Sequence, residues 1–235
     1  MEILSGMLFG ALALLIFLFG LYLFWRYVWF FRNPGRNIPE GEHILSPADG
    51  TVVYVEKVAP EQPIISIKDG RKLFVSDILH EDVSDTKYLI GVFMSPFDVH
   101  FNRAPISGTV DFTRHHPARL KNHHMTSMHW RTILNRFPMY ENSPHIIDNE
   151  RTVTKISGRF KDEPVSCYVV QIAGGSVDGV DTYVPEGDSV KRGQIFGMIR
   201  IGSQVDTVIT RREPLTVKIK PGDKVKAGES ILIES

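Results

Sequence analysis

A ten-residue motif that occurs twice near the C-terminus constrains this chain more than any other feature. It reads Val-Pro-Glu-Gly-Asp-Ser-Val-Lys-Arg-Gly at 184–193 and Ile-Lys-Pro-Gly-Asp-Lys-Val-Lys-Ala-Gly at 219–228. Superposing Gly187-Asp188 on Gly222-Asp223 gives an offset of 35 residues, so the copies are an internal repeat and not scattered glycine. Each has turn chemistry at Gly-Asp, a short strand ending at Val190 or Val225, another glycine and then an apolar run. Between the copies runs Phe196-Gly-Met-Ile-Arg-Ile-Gly-Ser-Gln-Val-Asp-Thr-Val-Ile209. Strand-like stretches on either side of Ile-Gly-Ser-Gln put Gly202-Ser203 at the tip of a tight hairpin. In a strained turn of that kind a serine hydroxyl can reach its own preceding carbonyl.

The N-terminus is of a different character. From Ile3 to Trp25 no residue is charged, a run long enough to cross a bilayer as a helix. Tyr22, Trp25, Tyr27 and Trp29 form an aromatic belt at its end, with Arg26, Arg32 and Arg36 beside it. Glu2 is the one charge on the other side. The positive-inside rule then predicts a single-pass protein of the cell membrane with a cytoplasmic domain. A cleaved signal peptide fits poorly, because there is no basic leading region, no small-residue cleavage site, and the apolar run is too long. About 200 residues follow the anchor, enough for one domain with a real core. The 27 basic and 27 acidic residues cancel, so nothing points to a nucleic-acid partner. The single cysteine, Cys167, cannot form an internal disulfide and agrees with a reducing compartment.

Strand signals dominate the remainder. Residues 50–58, 64–68, 89–94, 108–112 and 165–172 alternate and are rich in β-branched residues, with Pro and Gly between them. The predicted fold is mainly β, an antiparallel domain preceded by a transmembrane helix. Its boundaries are an anchor at 1–31, a linker at 32–45 and the domain at 46–235. The stretch 113–150 holds most of the histidines and lacks clear periodicity, and reads as a long loop or irregular excursion at an active-site rim.

Two polar clusters can carry chemistry. In Ser46-Pro-Ala-Asp-Gly50, Asp49 sits in a turn before a strand, where completing the turn is the plain alternative to a catalytic role. In Met94-Ser-Pro-Phe-Asp-Val-His-Phe-Asn-Arg-Ala-Pro105, a Pro-bounded loop follows a buried strand and presents Asp98, His100 and Arg103. Asp98 serves equally well as a turn cap. His115, His116, His123, His124 and His129 lack metal-ligand spacing, so a solvated loop is the expectation and no metal is assigned. Gly174-Gly175 reads as an ordinary turn.

Taken in order, Phe30-Phe-Arg-Asn-Pro-Gly-Arg-Asn-Ile-Pro39, Ser46-Pro-Ala-Asp-Gly50, Ser95-Pro-Phe-Asp-Val-His-Phe-Asn-Arg-Ala-Pro105, Gln171-Ile-Ala-Gly174 and Phe196-Gly-Met-Ile-Arg-Ile-Gly-Ser-Gln-Val-Asp206 resemble the phosphatidylserine decarboxylases, and more narrowly their short bacterial and archaeal branch. The paired repeats also resemble lipoyl and biotinyl carrier domains, whose hairpin carries a modified lysine. This chain has no lysine from Gly193 to Arg212.

The resemblance implies a proenzyme that cuts itself between Gly202 and Ser203, giving a β chain, 1–202, and an α chain, 203–235. Ser203 would become a covalent pyruvoyl cofactor, with no pyridoxal phosphate and no metal. That group would form a Schiff base with a serine phospholipid, either phosphatidylserine or its ether-linked counterpart archaetidylserine, and release carbon dioxide to leave the ethanolamine lipid. Asp49 matches the family's orienting aspartate and His100 the proton donor; Arg103 is a candidate for the lipid phosphate or carboxylate, or for an ion pair with Asp98. A homodimer is implied. Longer relatives carry a second histidine where Arg103 stands, and arginine cannot act as an ordinary base. Three solutions remain open: His100 in both roles, a histidine from 115–129, or a strained turn with Asp49. Gly175-Ser-Val-Asp-Gly-Val-Asp181 also lacks the basic pair expected there in the short branch. Other classes are a membrane-tethered carrier or interaction module and a hydrolase that keeps Ser203 as its nucleophile; both leave the chain uncut.

Overall fold

The computed structural model of the chain describes residues 2–59, 86–175, 179–200, 202–210 and 215–234, together with the backbone at 65–66 and 72–73. Two units result, Met1–Pro34 and Gly35–Ser235. In the first, helix α1 (Glu2–Phe24) runs into a π-helical turn, Trp25–Trp29. The span Ile3–Trp29 is long and apolar enough to cross a membrane.

The second unit holds, in chain order, β1 (Ile44–Leu45), β2 (Gly50–Val58), β3 (Ile65–Ser66), β4 (Lys72–Leu73), β5 (Lys87–Met94), β6 (Phe101–Arg103), β7 (Gly108–His116), β8 (Arg151–Phe160), β9 (Glu163–Ala173), β10 (Val180–Thr182), β11 (Ser189–Val190), β12 (Ile195–Ile199), β13 (Ser203–Thr210), β14 (Thr216–Val217), β15 (Lys224–Val225) and β16 (Ile231–Glu234). One sheet has the order β11-β7-β8-β9-β13-β5-β2-β15, and β1-β16-β14 and β10-β12-β6 form smaller ones. The mainly antiparallel β architecture expected from the alternating runs is the one observed. Of the strand expected at 64–68, only Ile65–Ser66 lies within the described residues.

Side chains on successive strand residues point to opposite faces, so the large sheet separates two apolar cores. Val205 and Ile209 of β13 join Met94, Val92 and Ile90 of β5 in the first. Val208, Phe93, Leu89 and Val170 face the second. That second core is closed by the stretch expected as an irregular loop. It contains two helices, α2 (Thr126–Ile133) and α3 (His145–Asp148), and it contributes Met125, Met128, Met139, Ile146 and Ile147. Helix α2 starts at Met125 with no side-chain cap and no acid in its first turn. The usual start signals are missing, and only its tertiary contacts reveal it.

The tight hairpin expected at Gly202-Ser203 is not formed. Strand β12 pairs with β6 and β10, whereas β13 lies between β5 and β9. The chain therefore changes sheets just before Ser203, and Gly202 turns it in the left-handed region at φ 55°. Ser203 enters the large sheet opposite Met94 on one side and Ala173 on the other, which is a tighter constraint than a hairpin tip.

The repeated motif folds the same way twice, at opposite edges of that sheet. Asp188 O accepts from Val110 N, and Gly187 N donates to Val110 O; Asp223 O accepts from Val52 N, and Gly222 N donates to Val52 O. The segments they pad are themselves a pair, Ser46-Pro-Ala-Asp-Gly-Thr-Val52 and Ala104-Pro-Ile-Ser-Gly-Thr-Val110. Reciprocal bonds join these at the centre, Leu45 N to Pro105 O and Arg103 N to Pro47 O. The unit thus has an internal pseudo-twofold arrangement, half of which the sequence displayed as a visible repeat and half as a weaker Pro-x-x-Gly-Thr-Val echo.

Candidate active site

Ser203 is fully buried on the first-core face of the sheet. Its Oγ donates to Met94 Sδ at 3.4 Å, a weak acceptor that leaves the hydroxyl easy to redirect. Asn102 Nδ2 approaches the same sulfur at 3.8 Å and Pro47 O at 3.4 Å. Gln171 Nε2 donates to Asn102 Oδ1 at 2.8 Å. One run of contacts therefore joins Ser203 to the loop of Asp49, the segment after His100 and the Gln171-Ile-Ala-Gly174 segment. Four of the sequence motifs converge here.

His100 is fully buried, and its backbone carbonyl accepts from Ile199 N, just ahead of the Gly202-Ser203 pair. Its Nδ1 lies 2.9 Å from Asp98 O. A carbonyl can only accept, so Nδ1 carries a proton and any lone pair of the neutral ring sits on Nε2. Asp98 itself caps the turn, accepting from Ser95 N at 2.8 Å, which is the plain role considered for it.

Asp49 is held from two sides. Arg36 Nη2 reaches both its oxygens at 2.9 Å, and Ala227 N donates to Oδ1 at 2.7 Å. His100 Nδ1 faces Asp98 O. The pseudo-symmetric half has its own version of the cap: Ser107 Oγ accepts from Arg192 N at 2.9 Å. Arg103 sends Nη1 to Gly193 O at 2.8 Å, and burial together with Arg36 lowers its pKa.

A cleft of about 180 Å³ opens at Gly202 and is lined by Phe93, Pro96, His124, Met125, Thr126, His129, Gly174 and Gly175. Arg103 is not part of it. Gly175 has a specific reason: a Cβ there would lie 2.8 Å from the His124 ring. Residues 176–178 of the segment lacking a basic pair lie outside the described residues. Asn149 hangs the cleft wall on the sheet, with Nδ2 donating to Ala173 O at 2.6 Å and to His123 O at 2.9 Å. The histidines expected in a solvated loop disperse: His124 and His129 line the cleft, while His123 faces Asp148 at 3.3 Å.

Behind Ser203 lies a buried polar network that no sequence motif announced. Gln204 projects to the opposite face from Ser203. Its Oε1 accepts from His145 Nε2 at 3.1 Å, and its Nε2 donates to Tyr54 Oη at 2.6 Å and Asp206 Oδ1 at 2.7 Å. Burial pushes His145 down to about 4, so the imidazole is neutral and donates through Nε2. The same burial raises Asp206 to about 6 and lifts Tyr54 above its usual range. Two polar residues two apart in a strand otherwise buried on both faces were the available signal.

The sequence is similar to those of known proteins. The family described as phosphatidylserine decarboxylase matches residues 23–233. A Methanocaldococcus jannaschii protein, provisionally named an archaetidylserine decarboxylase proenzyme, is 34% identical, with 87% of each chain covered. A phosphatidylserine decarboxylase proenzyme of Syntrophus aciditrophicus is 33% identical over 87% of this chain and 77% of its own. That of Carboxydothermus hydrogenoformans is 29% identical over 99% of this chain and 88% of its own. With its motifs converging on one buried serine and a family match over most of its length, the chain belongs to the phosphatidylserine decarboxylase family of enzymes.

Proposed function

We propose that the chain is the proenzyme of a membrane-anchored serine-phospholipid decarboxylase that cuts itself between Gly202 and Ser203. The observation carrying this reading is the junction itself: left-handed Gly202 borders the cleft while Ser203 is buried directly behind it. Residue 203 also fits a small carbonyl group, being a strand end held in register between Met94 and Ala173.

His100 Nε2 takes the Ser203 hydroxyl proton, and Oγ attacks the Gly202 carbonyl carbon. The C–N bond breaks as the C–O bond forms, giving an ester and a free amine. Loss of the Ser203 α-proton then breaks the Cβ–O bond and releases Gly202 as a carboxylate. Water replaces the nitrogen of the remaining enamine, ammonia leaves, and a pyruvoyl group terminates the new α chain. When present, that group supplies the electron sink for carbon dioxide loss. The protein's own residues do the rest. Phe93 and Met125 exclude water, His124, Thr126 and His129 offer polar contacts to a headgroup, and His100 returns a proton to the headgroup carbon. Asp49 acts at one remove. Tied to Arg36, it steadies the loop whose Pro47 carbonyl holds Asn102 and Arg103, hence the strand after His100. The apolar helix keeps the enzyme beside a substrate that stays in the bilayer, with the basic side cytoplasmic. The serine headgroup common to phosphatidylserine and archaetidylserine is the group acted on.

Intact mass of the purified protein beside Ser203→Ala is the test. The unsubstituted protein should give two fragments split after residue 202, the smaller blocked at its N-terminus and reducible by borohydride. Ser203→Ala should stay whole. A single chain from protein that is active on a serine phospholipid would remove the self-made cofactor, and an uncut, inactive chain would favour the tethered module.

A further inference from the structure

We propose that the outer face of α2 and the turn after it form a docking surface for an anionic bilayer, seating the mouth of the cleft on the lipid. The choice of occupant rests on the serine-phospholipid reading above. Helix α2 is two-sided in a way a soluble surface does not need. Met128 is buried in the second core, and Thr126 and His129 line the cleft at Gly202. Trp130, Ile133 and Leu134, at the spacing of one helical face, are 57%, 57% and 53% exposed. Phe137 continues the stripe at 56%, Leu120 lies 97% exposed, and Phe97, next to the cleft residue Pro96, is 66% exposed. Large exposed apolar side chains on the helix that lines the cleft, and next to Pro96 on its rim, mark an interaction surface.

Charge identifies the partner. From Phe112 to Tyr140 there is no Asp or Glu, while Arg114, Arg119, Lys121, Arg131 and Arg136 fall in that stretch, in a chain whose formal net charge is +0. Arg131 is paired with Glu141, but a segment this rich in cations that also exposes Trp, Leu and Ile has the composition of one lying in the membrane interface. A second copy of the chain is the weaker match, because a twofold contact would bring these cations against their own kind. Docked this way, a serine headgroup enters the cleft without its acyl chains leaving the bilayer.

The test uses full-length protein carrying Trp25→Phe and Trp29→Phe, which leaves Trp130 as its one tryptophan. It is reconstituted into vesicles of acyl-brominated phosphatidylcholine, with and without phosphatidylglycerol. Trp130 fluorescence should be quenched, and more strongly with the anionic lipid. A second variant, Ile133→Ser with Leu134→Ser, should lose the quenching. Its KM for vesicle phosphatidylserine should rise about tenfold, the loss expected when exposed aliphatic groups no longer enter lipid. Self-cleavage and turnover of monomeric dihexanoyl phosphatidylserine should stay unchanged. Unquenched Trp130, or an equal loss on both substrates, would overturn the proposal, as would Trp130 shielded in a dimer without lipid contact. Failure of the parent protein to cut itself or consume either substrate would instead sink the decarboxylase reading, and the quenching would still decide the docking.

Discussion

Asp49 and Ser107 occupy equivalent places in the two halves, and each caps the backbone of a repeat, at Ala227 and Arg192 respectively. A hydroxyl suffices for that cap, so what the carboxylate adds is its charge against Arg36, whose side chain is only 4% exposed. Asp49→Ser should therefore keep the turn but strand a buried cation. We expect a loss of about 2–3 kcal/mol in urea unfolding, below the usual cost of breaking a buried pair because Glu229 remains nearby. Arg36→Met added to Asp49→Ser should restore most of it. Cys167 is decided by burial alone: with the thiol pushed up to about 12, it should resist thiol reagents until the protein unfolds, as an Ellman titration with and without denaturant would read.

At the scale of the element, β13 matters through its alternation. Ser203 faces one core and Gln204 the other, so the strand can be gripped at Gln204 without touching Ser203. Chain ends fray, and self-cleavage would make Ser203, already the first residue of β13, a chain end as well. Tyr54→Phe leaves a Gln204 N–H short of a buried acceptor, and should cost about 1–3 kcal/mol by denaturant unfolding. Gln204→Ala should in addition lower kcat on the cut enzyme, read against fragment mass to separate it from slow processing. The pH dependence has opposing parts. Asp206 titrates higher folded than unfolded, so its contribution falls as pH rises from the ordinary carboxylate value, 3.8, to about 6. His145 titrates lower folded than unfolded, so its contribution rises with pH from about 4 to the ordinary 6.5. The two nearly offset in the parent protein. Asp206→Asn should expose a stability that climbs across that window and His145→Gln one that declines, measured as Tm against pH.

For the whole molecule, the proposed cut falls where the chain passes from the small sheet of β12 into the interior of the large one, between β9 and β5. Strand β13 stays between β5 and β9, β15 on β2, and β16 on β1. The fragments 1–202 and 203–235 should co-elute in gel filtration and separate only under denaturing conditions, as a β chain and α chain of one enzyme. Elution of a free small fragment would contradict this arrangement. Helix α2 both lines the cleft, through Thr126 and His129, and carries the exposed stripe, so the proposed docking and the proposed chemistry share one element.

What local sequence determined was whatever a short segment decides for itself. The uncharged run from Ile3 makes a helix, the alternating runs make strands, and the Gly-Asp turns recur because their bonding recurs. The convergence of Ser46-Pro-Ala-Asp-Gly50, His100, Gln171 and Ser203 was legible only as motif order through family resemblance, since no local rule relates residues so far apart. Tertiary structure alone decided the rest. Gly202-Ser203 reads as a hairpin tip because both flanks favour strand, yet those strands belong to different sheets. Pairing partners are chosen by long-range register, to which a local pattern is blind. Helix α2 carries no cap signal and exists because Met125 and Met128 have a core to enter. The clamp on Gln204 is likewise invisible until Tyr54, His145 and Asp206 are brought from three elements into a space without water, where each polar group has to find another.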